Sequence, residues 1–499
     1  MIWKLSLLRN SQLVKRSHCS ITSALFGNFS HSVIMKEKRW VVMSAILVIF
    51  AILGCTHSYS EGLWELAEGE ELPWANVAWM ITATIFVLMM TPGLSFFYGG
   101  MVGHKNVIST ILQSFIAMGL VSILWVTVGF SFSFGEDLWG LHILGDPRTF
   151  FMFENVGAHV ASETSAVEGI RQLAAGGVAT TIPIALFALF QMKFAIITPS
   201  LITGSFAERV RFSGYLVFMT LFCFFVYFPL AHWTWHPAGF LNLWGVHDFA
   251  GGIVVHASSG VAALAGALFL GKRKGASHED PANIPFVILG AALLWLGWFG
   301  FNGGSSLAAD HIAVLAFLNT NTSAATAMLA WIFMDCLRGR KPSAMGAAVG
   351  SVVGLVAITP MADQVTPGEA IMIGLVTTMV CNTACYWKNR TGRFDDALDV
   401  FPTHGMGGIF ATLLTGYFMC ILHEDNPDWA GMGLHVLGLL IVCAYTFVVS
   451  LGLYWLTNKM IPMRVSAKSE AMGLDLSQHD EHYGFADHAE AELEEATTK

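Results

Sequence analysis

Charge is scarce in this 499-residue chain: only 12% of its residues are Asp, Glu, Lys or Arg, against about 25% in soluble domains. With 55% hydrophobic residues and a mean hydropathy of +0.60, a soluble fold of this length has nowhere to hide its apolar surface. The bilayer must act as solvent for most of it. The eight cysteines contain no CxxC pair and no zinc-ligand spacing, which excludes a redox dithiol or a zinc ribbon. Six of them (Cys223, Cys336, Cys381, Cys385, Cys420 and Cys443) lie in or beside apolar runs and are read as small buried side chains. No complete GxxxxGK[ST] loop, GxSxG elbow or HExxH pair is present, so nothing supports ATP hydrolysis or a hydrolase. The chain is therefore expected to be no enzyme and to carry no cofactor. A basic patch is missing too: the net charge is −9, and nine of the 35 acidic residues fall between Glu470 and Glu495. That pattern is a solvated acidic tail, not a nucleic-acid surface. The ten-residue alternating segments of a membrane barrel are also lacking.

What the chain has in abundance is long apolar sequence, 49 glycines and 16 tryptophans, the residues of close helix packing and of the membrane interface. Residues 1–34 read as an extension or a mis-assigned start, with translation beginning at Met35. From there MKEKRWVVMSAILVIFAILGC has a basic n-region, an apolar stretch of about 15 residues and a small-residue end, the anatomy of a signal peptide spanning 35–55. An uncleaved extra helix is the alternative. After an acidic stretch from Glu61 to Glu71, eleven apolar runs begin near Val77, Val107, Thr181, Ser213, Gly252, Ile284, His311, Ala344, Gly368, Thr403 and Met432. Each is long enough, at roughly 17–25 residues, to cross the hydrocarbon as a helix. They make a membrane domain over 72–460, followed by a cytosolic tail over 461–499.

Lysine and arginine set the orientation. One set of loops holds Lys105, Arg209, Arg211, Lys272, Arg273, Lys274, Arg338, Arg340, Lys341, Lys388, Arg390, Arg393, Lys459, Arg464 and Lys468; the other holds only Arg148 and Arg171. By the positive-inside rule the N-terminus is outside and the C-terminus cytoplasmic, in the cell (inner) membrane. An internal repeat agrees. PGLSFFYGG at 92–100 echoes GWFGFNGGS at 297–305, and GGIVVHASSG around His256 echoes PTHGMGG around His404. Five helices followed by five of opposite sense form an inverted-topology repeat, which places a substrate path near the midplane at the repeat interface. The expected fold is an all-α polytopic membrane protein: eleven transmembrane helices, an inverted 5+5 repeat plus an extra C-terminal helix.

Ionisable groups inside spans are costly and mark function. His256 and His404 hold matching places in the two halves, among glycine, alanine and serine, and can meet edge to edge in a narrow lumen. Imidazole accepts and returns a proton near neutral pH. The bland reading of a lone intramembrane histidine is a packing group; the pairing across the repeat weighs against it. Two histidines with no third ligand make a poor zinc site. Phe190 and Phe194 share a face of the third span, and Trp235 lies at the outer end of the fourth. Phe301 and Ser305 are four apart at the outer end of the sixth. Aromatic faces with a hydroxyl can hold a small cation, although any one of these rings alone reads as packing or as an interfacial belt. Asp248 and Asp399 precede the fifth and tenth spans and are expected to cap them.

FFYGGMVGHKNV, FAIITPSLITGSFAERVRFSGYL, AHWTWHPAGFL, HDFAGGIVVHASSGVAAL, GWFGFNGGSS, DDALDVFPTHGMGGIFATLLTG and GLDLSQHDEHYGFA, in order from about Val77 to Ala486, together resemble the bacterial ammonium transporter/Rh family. The resemblance implies an eleven-helix homotrimer with one pore per subunit and ammonium or ammonia as substrate. It implies recruitment at Trp235, Phe190, Ser305 and Asp248, a gate of Phe194 and Phe301, and a twin-histidine lumen of His256 and His404. It further implies a tail that packs under neighbouring subunits and a PII-type nitrogen-regulatory partner docking there; the remaining partner is membrane lipid. Two residues depart from the family pattern. Lys193, beside the gate residue Phe194, reads as facing a subunit contact or snorkelling to the interface. His236, where the family has a glycine-rich turn, stands where it can alter the affinity or pH response of the vestibule. The rival readings are an ammonium sensor on the same fold, a Rh-type channel for another neutral gas or amine, and a membrane hydrolase. The tail has no signalling domain, the Trp235 and Phe190 pair favours a cation, and no nucleophile accompanies His256.

Overall fold

The computed structural model describes residues 38–57, 63–66, 71–274 and 280–484. The expected extension at 1–34, Met35 and the acidic end of the tail beyond residue 484 lie outside the described residues. Two units divide at Ser58 and Tyr59. The first contains α1 (Lys38–Thr56), an apolar helix with no buried side chain.

The second unit holds α2 (Trp74–Met101), α3 (His104–Phe134), α4 (Ile184–Ser205), α5 (Phe212–Leu243), α6 (Gly252–Leu270) and α7 (Ile284–Ser306). It continues with α8 (His311–Leu337), α9 (Ala344–Met361), α10 (Pro367–Thr391), α11 (Phe401–Leu422) and α12 (Trp429–Met460). These eleven coincide with the runs read from the sequence. With α1, twelve helices among the described residues are long and apolar enough to span, one more than the eleven expected. The difference arises because a short apolar helix behind a basic segment has the same composition whether it is cleaved or retained. Among the described residues no strand forms, only two isolated bridges. This follows from the solvent, since a spanning backbone must satisfy its hydrogen bonds within itself.

Polar residues at the loop ends start the helices. Asn283 accepts the N–H of Phe286 at 3.0 Å, Asp310 that of Ala313 at 2.8 Å and Ser343 that of Gly346 at 2.9 Å. Thr366 and Glu369 cap α10 reciprocally. Between helices, close backbone approach replaces the hydrophobic driving force that lipid removes. A Cβ on Gly290 would lie 2.3 Å from Phe97 N, so α7 and α2, the opening helices of the two repeats, pack backbone to backbone. A Cβ on Gly260 would lie 2.1 Å from Gly405 N, which marks the crossing of α6 and α11.

Cys223, Cys381, Cys385 and Cys420 are buried as expected, but Cys336 is exposed, at the end of α8 on its outward side. Beyond α12 the tail folds back on its own chain. The Asp475 carboxylate accepts the N–H groups of Ile108 and Ser109 at 3.0 and 2.7 Å, and Gln478 accepts that of Phe212 at 2.9 Å. The tail thus caps the starts of α3 and α5.

Candidate functional site

The two histidines come from equivalent helix starts. α6 and α11 each begin with a π-helical turn, Gly252–Ala257 and Phe401–Gly405, and each turn contains the histidine. Such turns rotate side chains out of the ordinary α register and recur at functional sites. Because Gly260 and Gly405 let the helices touch, the two imidazoles meet: His256 Nδ1 and His404 Nδ1 are 3.3 Å apart. One nitrogen must donate and the other accept, so a single proton ties the two tautomers together. Both rings are buried, and among the described residues His256 Nε2 has no hydrogen-bond partner.

Above this pair the aromatic side chains form a file. Trp235 packs edge-on against Phe194 at 5.8 Å between centroids, and Phe194 stacks on Phe301 at 4.2 Å and 23°. Phe301 lies 6.0 Å from His256, which lies 5.3 Å from His404. Phe190 is fully buried and meets Phe194 edge-on at 4.9 Å. A stack at 4.2 Å leaves no passage between the two phenyl rings, so the file is closed at Phe194 and Phe301. Trp235 is half-buried at the end of α5, and its indole N–H donates to the Asp248 carbonyl at 2.9 Å. With its donor engaged, its ring face is the surface left to offer. Ser305 is half-buried in the turn that ends α7, and its hydroxyl donates to the Phe301 carbonyl at 2.8 Å, leaving its lone pairs free. Its neighbour Gly304 leaves room for Phe190; a Cβ there would come within 2.8 Å of that ring.

Beside the Phe194–Phe301 stack lies a small cavity of about 10 Å³, lined by nine apolar side chains from Met90 to Val352 and by His256 and His404. That volume is near the least that accommodates one water-sized molecule. Trp298 closes one wall, stacked on His256 at 5.2 Å and held by an N–H bond of 2.8 Å to Thr359 Oγ1.

Asp248 does cap its helix. Its carboxylate accepts four backbone N–H groups, from Gly251, Gly252, Ile253 and Val254, at 2.8, 2.6, 2.8 and 3.1 Å. Burial pushes its carboxyl above the ordinary range, and the four N–H groups pull it part of the way back. Asp399 does not cap the tenth span. Its carboxylate pairs with Lys388 Nζ at 2.6 Å, and the cap of α11 is Asp396, which accepts the N–H groups of Val400 and Phe401 at 3.1 and 2.7 Å. The reason is register: Asp396 stands eight residues before His404, as Asp248 stands eight before His256. That eight-residue spacing is the sequence signal for the cap, whereas mere proximity to the apolar run points to Asp399. Burial pushes the Asp396 carboxyl up to about 6 against the pull of Lys388.

Lys193 is buried and does not line the cavity. Its ammonium lies 3.6 Å from Met192 Sδ, and among the described residues it has no carboxylate partner. His236 is buried as well. Its ring stacks on His232 at 4.4 Å, and its Nδ1 accepts the Ala238 N–H at 3.1 Å.

Comparison with known proteins places this architecture. The model of the Ammonium Transporter Family matches residues 78–483. The ammonium transporter of Bacillus subtilis is 38% identical over 413 residues, 81% of this chain and 97% of the relative. Among solved structures, Mep2 of Saccharomyces cerevisiae is 31% identical with a TM-score of 0.70, covering 81% of this chain and 90% of its own. A protein described as a Sensor Amt Protein is 30% identical with a TM-score of 0.71, covering 81% and 98%.

Proposed function

The chain belongs to the Ammonium Transporter Family, a family of multi-pass membrane transporters, and from that premise we propose how it moves ammonium nitrogen inward. The observation that carries the proposal is the unbroken file of rings from Trp235 through Phe194 and Phe301 to the touching histidines.

Ammonium is recruited where the Trp235 and Phe190 rings offer their faces and Ser305 Oγ accepts an N–H. Each ring contact is worth about 0.5–2 kcal/mol. Asp248 supports this end through its carbonyl, which orients Trp235, and through its carboxylate, which holds the start of α6. A bare cation in the apolar tube is costly to desolvate. Ammonium removes that cost by leaving a proton behind, and ammonia, the size of water, passes the moving Phe194 and Phe301 gate. In the lumen the paired imidazoles offer ammonia both a donor and an acceptor. Potassium has no proton to lose and is rejected by the same desolvation cost.

Around this pore we propose a homotrimer in the inner membrane with the N-terminus outside and the tail cytoplasmic, supported by the one-sided lysine and arginine loops. Residues 35–55 act as a signal peptide, and the tail that caps α3 and α5 is the surface for a PII-type regulator. A sensor role remains the second reading, supported by the likeness to the Sensor Amt Protein.

The test is a solid-supported-membrane recording of purified protein pulsed with ammonium or potassium. We expect an ammonium transient and none for potassium, with the proton passing along the histidines. An internal alkaline shift without current keeps the pore and returns the proton outside. The His256→Ala/His404→Ala double variant should retain its fold and lose ammonium flux or selectivity. Unaltered flux and selectivity in that variant would overturn the pore assignment, and silence of the wild type in both assays would favour the sensor.

A further inference from the structure

Three consecutive residues at the aromatic mouth, His247, Asp248 and Phe249, lie in the connection between α5 and α6 and are held from the second half of the chain. His247 Nε2 meets Asp363 Oδ1 of the α9–α10 connection at 3.1 Å. The His247 N–H donates to His435 Nε2 of α12 at 3.0 Å. His435 Nδ1 lies 3.0 Å from the Gly431 carbonyl, so the His435 proton sits on Nδ1. The Phe249 N–H donates at 3.1 Å to the carbonyl of Pro360, in the last turn of α9. The other oxygen of Asp363 accepts the Gln364 amide at 2.6 Å, which leaves Oδ1 for the imidazole. Burial lowers the proton affinity of His247, but the bond to Asp363 outweighs it and holds the imidazole above its ordinary range, with Asp248 adding to the pull. That favours a charge-assisted bond.

The Phe249 N–H and the Asp248 carbonyl are the two ends of one planar peptide. Its N–H is on Pro360 and its carbonyl is on the Trp235 indole at 2.9 Å, so the tilt of that plane sets where the indole ring can lie. A cation must stand over the ring face to be attracted, and that tilt therefore bears on affinity. Asp363 follows Pro360 by three residues. The His247–Asp363 contact thus closes a loop that clamps the Pro360 carbonyl against the Phe249 N–H. The start of α6 packs on the same turn: a Cβ on Gly252 would lie 2.6 Å from Pro360 Cβ. The His247 side chain is 25% exposed, so leucine would serve a packing role as well; what imidazole adds here is the bond.

We propose that His247 is a positioning residue for ammonium recruitment: its bond to Asp363 fixes the Asp248–Phe249 peptide and, through the Asp248 carbonyl, the ring of Trp235. The inference rests on the reading of Trp235 as the recruiting ring. It ties the affinity of a vestibule built from α4, α5 and α7 to the connection between α9 and α10.

The test is the response of the reconstituted full-length protein to a series of ammonium concentrations, read as apparent KM and maximal flux. His247→Leu should raise KM about fivefold with maximal flux little changed, the loss of one charge-assisted bond. His247→Gln, whose amide N–H can reach Asp363, should bring KM back to within about twofold of wild type. Because His247 acts through Trp235, the His247→Leu/Trp235→Leu double variant should have the KM of Trp235→Leu alone, not the product of the two effects. His423→Leu, which removes a like contact with Glu369 of 2.9 Å at the same end, should leave KM unchanged. If His247→Leu fails to fold, Asp363→Ala breaks the pair from the other side and should give the same rise. Multiplicative effects in the double variant, no recovery with glutamine, or an unaltered KM in His247→Leu or Asp363→Ala would each overturn the proposal and leave recruitment at Trp235 standing. An unaltered KM in Trp235→Leu would overturn recruitment at that ring and this inference with it.

Discussion

The starts of α6 and α11 are two copies of one device turned to opposite ends of the membrane. Each has an aspartate eight residues before a histidine, a π-helical turn and a glycine contact with the other. They differ in what surrounds the aspartate. Asp248 takes four N–H groups, and its carbonyl holds the ring of Trp235. Asp396 takes two, and its carbonyl receives Lys388 Nζ at 2.6 Å beside a network of Arg273, Glu208, Asp395 and Asp399. One end is aromatic, with a histidine–carboxylate contact beside Asp248, His247 Nε2 to Asp363 Oδ1 at 3.1 Å; the other is a cavity of about 600 Å³ lined by Arg273, Lys388 and their carboxylate partners. A shared skeleton places the two histidines symmetrically, and the local environments differ; under the proposed function the aromatic mouth attracts the cation and the charged mouth releases into water.

The largest expected effect sharpens this contrast. Asp248→Ala orphans four buried N–H groups and Asp396→Ala two, at about 1–3 kcal/mol for each group left unmade. Thermal unfolding in detergent should therefore show a loss of at least about 3 kcal/mol for Asp248→Ala and about half that for Asp396→Ala. Equal losses would mean that the two caps are equivalent after all.

A smaller effect should separate the mouths by function. Trp235→Leu is expected to raise the apparent KM for ammonium about tenfold with maximal flux little changed, the loss of one cation–π contact. Arg273→Gln, at the ion-paired mouth, should leave KM within about twofold, because its partners are carboxylates rather than substrate. A KM effect of the same size in both variants would break the assignment of recruitment to the aromatic end.

The smallest effect concerns pH. The Asp396 carboxyl is raised from 3.8 to about 6 in the folded protein. The folded state therefore binds the proton more tightly than the unfolded chain, and stability falls as pH rises from about 4 through 6. Asp396→Asn should flatten the difference in unfolding temperature across that window. An identical slope in variant and wild type would place the pH dependence elsewhere.

The spans were legible because lipid tolerates only long apolar helices, so composition alone locates them. The histidine pair was legible because ionisable groups in spans are rare and these two recur across a repeat. Asp399 was misassigned because proximity to an apolar run does not reveal where the π turn begins; the eight-residue register with His404 does. Cys336 was expected to be buried because periodicity does not say which face of α8 turns outward. Trp298, which lines the cavity beside the histidines, and Thr359, which holds its indole, carried no signal: a tryptophan in a span looks the same whether it faces lipid or an internal cavity.

The sequence by itself determined the solvent, the number and place of the spans within 72–460, the two repeats and the residue types available for a cation and a proton. Those properties are sums over local composition and need no knowledge of neighbours. Only the tertiary structure decided that Phe194 and Phe301 close on each other, that His256 and His404 meet through Nδ1, and that Asp396 rather than Asp399 answers Asp248. Each of these depends on contacts between helices far apart in the chain, set by where glycines let two backbones touch.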